Sequence, residues 1–324
     1  MKDSESKLKT KNSKLFQHVY VVIMAGGKGE RFWPLSTESV PKPFIAIMED
    51  RALIQLTFER AARITTTEKI FVVLGRSHLD VAKKQLPMLS VDNFIVEPEG
   101  RDTAACIGYS ALAILQRDKD AVMVVLPADQ FIPDVDNFTE TISRAVGYAA
   151  KGDYLVTIGM KPTRPETGYG YINAYDVFGS TAENDCYRVN RYVEKPDVKT
   201  AEKYIKEGHY FWNSGIFIWQ AKVLIGGIER FMPGLFEGLN KIKDALDSND
   251  AEKINIIYKD IQRKSIDYGL MEKADNVLMV PARFVWDDVG TWSSLLRVLS
   301  PDKNGNFIKG DVIAFDTKDC VVLS

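Results

Sequence analysis

A chain of 324 residues, 45% apolar and 27% charged, has an ordinary globular composition, with room for one large α/β domain and a smaller appendage. Its net charge of −2 gives no footing to a nucleic-acid or membrane-surface partner, so any anion binding has to be local. Cys106, Cys186 and Cys320 are odd in number and far apart, which sets aside a disulfide framework and a zinc site and fits a reducing cytoplasm.

The first 17 residues are polar and lysine-rich with no apolar h-region, so they read as a mobile tail and not as a secretory signal. No apolar run reaches the ~18 residues of a membrane span. Val19 to Ala25 is an apolar, β-branched run that predicts a buried strand. It breaks into Gly26, Gly27 and Gly29, interleaved with Lys28 and Arg31, and Pro41-Lys42-Pro43 follows. Glycines let a ligand approach the main chain, and successive free N–H groups suit phosphate oxygens. A plain turn with solvated charges is the simpler alternative, but glycines and cations this closely spaced favour a phosphate cradle. Neither familiar loop matches. Phe32 stands where the dinucleotide fingerprint needs its third glycine, and Gly27-Lys28-Gly29 does not close a P-loop.

Further apolar runs at Ile70–Leu74, Phe94–Val96, Val122–Leu126, Tyr154–Gly159, Val189–Val193, Gly215–Trp219 and Val277–Pro281 predict strands. Thr103–Gln116 and Asn137–Ala150 carry helical spacing. This alternation predicts an α/β fold with a mixed, mostly parallel sheet covered on both faces, and a ligand beyond the strands' carboxyl ends. After Ala150 the loops lengthen, as a second substrate on the same sheet would require. From Pro301 a turn and two short strands, Ile308–Asp316 and Cys320–Leu323, form a β stub.

Candidate chemistry lies at strand ends. Glu97, followed by Pro98, Glu99, Gly100 and Arg101, leaves a strand and enters a helix that Asp102 or Thr103 could cap; Glu97 and nearby carbonyls could also accept from a purine edge. Asp129 follows a buried strand too early to cap the helix at Asn137, and a carboxylate beside phosphates suits Mg²⁺. Asp287 could simply be solvated, and Thr291 could cap the helix through Val298. Asn213 is a donor and acceptor suited to sugar hydroxyls. Tyr169, Tyr171, Trp212 and Trp219 read as packing. His18, His78 and His209 fit no metal or nucleophile pattern.

The motif from Ala25 through Gly26, Gly27, Lys28, Gly29 and Arg31 to Phe32-Trp33-Pro34-Leu35-Ser36, closed by Pro41-Lys42-Pro43, resembles the opening motif of the sugar-1-phosphate nucleotidylyltransferases. It is most similar to the version that joins GTP to mannose 1-phosphate, and later motifs extend the resemblance from about Val19 to Leu296. The resemblance implies a Rossmann-like nucleotidyltransferase fold, with a catalytic domain at 18–299 and the start of a truncated C-terminal β-helix-like domain at 300–324. It implies a Mg²⁺-assisted transfer of GMP from GTP to mannose 1-phosphate, giving GDP-mannose and pyrophosphate. Nucleotide contacts fall on Ala25, Gly26, Gly27, Lys28, Gly29, Arg31, Lys42, Glu97, Pro98, Gly100, Arg101, Thr103 and Asp129. Sugar contacts fall on Gly170, Glu194, Lys195 and Asn213. Asp288 becomes the second metal ligand beside Asp129, and Arg31, Lys42, Asp129, Lys195 and Asp288 the catalytic set. Asp102 replaces the family's usual Asn, and Gln130 its usual His, behind the metal acid. Another hexose 1-phosphate or nucleotide, or a non-catalytic nucleotide-sugar sensor, remains open; a nicotinamide oxidoreductase fails on the missing third glycine. A homodimer is left open, since spacing carries no signature of oligomeric state.

Overall fold

The computed structural model describes residues 13–27, 32–47, 50–178, 186–248, 250–299 and 301–324. The strands β1 (Val19–Met24), β2 (Ile70–Gly75), β3 (Phe94–Glu97) and β4 (Val122–Pro127) pair in parallel in the order β3-β2-β1-β4. Each is almost wholly buried, and that is why these segments read as unbroken apolar runs. The sheet continues through β10 (Tyr210–Gln220), antiparallel to both β4 and β5 (Leu155–Met160), and then through β11 (Val277–Pro281), parallel to β5. The expected mixed, mostly parallel sheet is therefore present.

Alternate residues of one strand enter opposite cores. Val19, Val21 and Ile23 pack with Ile54 and Phe58 of α2 (Leu53–Ala62) and with Phe138 and Ile142 of α5 (Val135–Ala149). Tyr20 and Val22 face the other side, with Ile107 and Ala111 of α4 (Asp102–Leu115), Leu224 and Ile228 of α7 (Ala221–Phe231), Leu239 of α8 (Pro233–Asp247) and Tyr258 of α9 (Ala251–Asp260). The shorter α3 (Leu79–Gln85) and α6 (Val198–Glu207) add Ala82, Ala201 and Tyr204 to the first core, so helices cover both faces and the strand ends are left as the place for a ligand. No helix among the described residues is long and apolar enough to cross a membrane.

Several boundaries differ from the sequence reading. The last residues of the expected mobile tail form a helical turn, α1 (Ser13–Phe16), and Leu15 and Phe16 pack against the first core. The run Val189–Val193 is not one strand. The chain changes partners at Val189 and Asn190, whose N–H groups go to Val277 and Asn173 carbonyls, splitting β8 (Tyr187–Arg188) from β9 (Arg191–Val193). The strand expected from Gly215 begins at Tyr210, and its register shifts between Asn213 and Phe217, where Gly215 has φ +71°. That bulge re-aims Asn213. The stub's strands are short, β12 (Phe307–Lys309) and β13 (Val321–Leu323), and they pair in parallel. Gly310, at φ +108°, directly follows the last residue of β12, so the strand stops well before 316.

Candidate active site at the strand ends

One antiparallel bridge brings the two ends of the chain together. Phe131 N–H donates to the Asp287 carbonyl at 2.9 Å, and Asp287 N–H to the Phe131 carbonyl at 3.1 Å. Asp129, just past β4, is two residues before that bridge, and Asp288 is one residue after it. A small core of Phe32, Ile45, Ile47, Val289 and Leu295 closes behind them, with the Phe32 and Trp292 rings 5.2 Å apart. Lys42 lies between the acids. It is 7% exposed, and its Nζ donates to Asp129 Oδ2 at 3.0 Å and to the Asp288 carbonyl at 2.5 Å. Asp288 Oδ1 accepts from the Tyr169 hydroxyl at 2.5 Å and from Gly290 N–H at 3.2 Å. Burial pushes the Asp288 carboxyl above its usual range. The Asp287 and Asp129 charges add to this, while the Tyr169 bond and Lys42 oppose it.

Asp287 is not solvated as its neighbours suggested. It is 4% exposed and takes two bonds of 3.1 Å from Arg297, with Arg164 at 3.6 Å. Thr291 does stand at the N-cap of α10 (Trp292–Val298), where its N–H donates to Ser294 Oγ at 3.3 Å. Gln130, which departs from the motif, is buried and donates to the Ser214 carbonyl at 2.5 Å, tying the loop after β4 to β10.

Beside the acids, Ala25 is buried, whereas Gly26 and Gly27 are exposed. Gly27 has φ +108°, and a Cβ built there would meet nothing within 4 Å, so the turn opens to solvent. Lys28, Gly29 and Arg31 lie outside the described residues. At the end of β3, Glu97 is 5% exposed; its Oε1 accepts from Tyr258 OH at 2.6 Å, and Oε2 lies 3.8 Å from where a Gly26 Cβ would be. Burial raises the Glu97 carboxyl, opposed by the Tyr258 bond. The expected cap of α4 is not made. Asp102 sits at φ +69°, its carboxylate taking its neighbour Thr103 N–H at 2.7 Å, and Thr103 Oγ1 accepts instead from Ile266 N–H at 2.9 Å. Arg101 binds Glu99 at 2.9 Å and the Lys259 carbonyl, tying this loop to α9. Pro98 is partly exposed and Gly100 exposed in the same loop.

The segments singled out for a sugar also converge. Strand β6 (Tyr171–Asn173) pairs with β9 on one side and β10 on the other, which places Gly170 and Glu194, just beyond their strand ends, level with Asn213 inside β10. Gly170 accepts from Asn213 N–H at 2.8 Å, and a Cβ on Gly170 would lie 2.5 Å from Glu194 Oε2. Lys195 donates to Glu194 Oε1 at 2.7 Å from an exposed side chain. Two side chains that bond to the candidate residues escaped the sequence reading. Tyr169 does pack, its ring 5.3 Å from both Trp212 and Trp286, but its hydroxyl serves Asp288. Asp267 opens a π-helical turn (Asp267–Met271) and accepts from Asn213 Nδ2 at 2.8 Å. Burial, helped by the Glu194 charge, raises its carboxyl to about 6. The available signal was an acid placed just ahead of Leu270-Met271, both buried. Tyr171, Trp212 and Trp219 are buried packing residues. His18 and His209 pair with Asp118 and Glu207, and His78 meets the Glu38 carbonyl.

These strand-end acids and the open glycine turn sit on a mixed α/β sheet, and the nucleotidyl transferase family profile matches residues 20–304. The chain belongs to the nucleotidyl transferase family. It is 39% identical over 306 residues to the xanthan biosynthesis protein XanB of Xanthomonas campestris, covering 93% of this chain and 64% of that one. It is 38% identical to the mannose-1-phosphate guanylyltransferase of Salmonella montevideo, covering 92% and 64%. A crystal structure of mannose-1-phosphate geranyltransferase from Thermus thermophilus superposes with a TM-score of 0.85 at 35% identity, over 95% of this chain and 87% of that one. The chain thus spans slightly less than two-thirds of the length of these curated relatives, 64%.

Proposed function

We propose that this chain transfers GMP from GTP to mannose 1-phosphate, releasing pyrophosphate and forming GDP-mannose. The observation that carries the reading is the meeting of Asp129, Asp288 and Lys42 beside the open turn at Gly26 and Gly27. The names of the relatives support the choice of GTP and mannose 1-phosphate over other pairs.

A sugar phosphate oxygen attacks the α-phosphorus of GTP in line, the bond to the β-phosphate oxygen breaks, and pyrophosphate leaves with the electron pair. The nucleophile is already anionic and needs no general base. The barrier is the approach of two polyanions, so the site works by positioning and charge. Main-chain N–H groups at 26–29 and Arg31 hold the triphosphate, Lys42 lies at the α-phosphate end, and Lys195 draws in the sugar phosphate. Glu97 presents its second oxygen toward the glycine turn, where it accepts from the guanine edge. Pro98, Gly100, Arg101 and Thr103 shape that loop, Arg101 and Thr103 by anchoring it to the 259–266 segment. Gly170, Glu194 and Asn213 receive the hexose.

The donor set fits a hard divalent cation, Mg²⁺, held by Asp129 and Asp288. Among the described residues no three His, Cys, Asp or Glu side chains form a metal cage, so Asp129 and Asp288 would hold such a cation together with phosphate and water oxygens. When bound, it supplies neutralisation of phosphate charge during the transfer. The test is pyrophosphate release from each of four nucleoside triphosphates with mannose, glucose and galactose 1-phosphates. GTP with mannose 1-phosphate should give the highest kcat/KM, and release independent of any sugar phosphate would refute the transfer.

A further inference from the structure

The Asn213 amide is fixed from both sides. Its Oδ1 accepts from Gly215 N–H at 3.1 Å, and its Nδ2 donates to Asp267 Oδ1 at 2.8 Å. That leaves Asn213 one N–H to give and little to accept with, although a hexose ring presents hydroxyls that must also donate. Acceptors have to come from elsewhere. Glu194 Oε1 is held by Lys195, and its Oε2 faces Gly170, where even a methyl group would collide with it. Asp267 is the other carboxylate at this place; Asn213 engages its Oδ1 and its own main-chain N–H also bonds the group, which leaves lone pairs on the second oxygen to accept.

We propose that Asp267 is a specificity-determining residue for the hexose: its second carboxylate oxygen accepts a ring hydroxyl while its first fixes Asn213 as a donor to the neighbouring one. This deepens the sugar 1-phosphate reading and rests on it. A π-helical turn is an uncommon way to place an acid, and such turns recur at functional sites. The segment leading to it is braced against the base loop, by Lys264 O to Ala104 N–H at 3.2 Å and Ile266 N–H to Thr103 at 2.9 Å. Asp267 is therefore held firmly, at the distance set by the nucleotide loop. A carboxylate so placed penalises an epimer whose hydroxyl points away, because the acceptor is then left unpaired.

The experiment compares the unsubstituted chain with Asp267→Asn, which keeps an oxygen for Asn213 but loses the charge, and with Asp267→Ser. Pyrophosphate release is measured against mannose and glucose 1-phosphates, with GTP titrated separately. Asp267→Asn should raise KM for mannose 1-phosphate by about tenfold or more and shrink the preference over glucose 1-phosphate by a similar factor. KM for GTP should stay within about twofold, which also reports an intact fold. Unchanged sugar KM and unchanged epimer preference in both variants would overturn the assignment. Equal loss toward both sugars would overturn it as well, leaving only a structural part for Asp267. An unsubstituted chain that releases no pyrophosphate with any hexose 1-phosphate would remove the underlying reading too, and that outcome shows before any variant is compared.

Discussion

One oxygen separates Tyr169 from phenylalanine, and that oxygen donates to Asp288 Oδ1. Tyr169→Phe leaves the ring between Trp212 and Trp286 and removes only the bond, so the two contributions can be separated. A hydrogen bond to a charged group stabilises by about 1.5–3 kcal/mol, and its loss lets the Asp288 carboxylate turn away from Asp129. We expect kcat to fall at least about tenfold and the Mg²⁺ concentration for half-maximal rate to rise, with the thermal midpoint lowered by a few degrees. Titration of Mg²⁺ in the steady-state assay checks this, and an unchanged Mg²⁺ dependence would show Tyr169 to be packing alone. Asp267 carries a cost of the opposite kind. Its folded pKa, about 6, is raised above the ordinary carboxylate value by burial, then by the Glu194 and Asp102 charges. A raised pKa contributes stability that is full below the unfolded value near 3.8 and is lost as pH rises through 6. Asp267→Asn should therefore melt higher than the unsubstituted chain at about pH 7.5 and level with it near pH 4. Melting curves at the two pH values decide it, and an equal shift at both would contradict the burial account.

At the scale of elements, the Phe131–Asp287 bridge sets where the acids meet, and Asp287 locks it by binding Arg297 and Arg164 from a buried position. Removing one partner of such a network strands charge in the interior. Asp287→Ala should destabilise the fold by about 3 kcal/mol, read as a lower urea midpoint with unchanged m-value. The same elements show what a sequence can carry. Val122–Leu126 and Val277–Pro281 were legible because both faces of each strand are buried, so the whole run is apolar. Asp129 and Asn213 were legible as side chains at the borders of such runs. The split between β8 and β9 was not, because the partners of Val189 and Asn190 lie 88 and 17 residues away, at Val277 and Asn173. Asp287 and Asp267 were misjudged or missed for the same reason: their neighbours, Arg164 and Arg297 or Asn213 and Glu194, are supplied only by the folded sheet. Tyr169 was read correctly as a ring and missed as a hydroxyl.

For the whole molecule, one sheet covered on both faces leaves the carboxyl ends of β1, β3 and β4 open together, and it delivers the glycine turn, Glu97 and Asp129 to one rim. The antiparallel β10 and its bulge bring Asn213 beside Gly170, and Tyr169, the next residue, reaches Asp288, so the Gly170–Glu194–Asn213 cluster adjoins the paired acids. In the proposed transfer Asp129 and Asp288, 159 positions apart in the chain, act as a pair on the phosphates of two bound substrates. Turnover of Asp129→Asn and Asp288→Asn, measured as pyrophosphate release from GTP and mannose 1-phosphate at saturating Mg²⁺, tests it most directly. Each variant should lose at least about a hundredfold in kcat, with an unfolding midpoint close to that of the unsubstituted chain. A kcat within a few-fold of the unsubstituted value in either variant would contradict the claim.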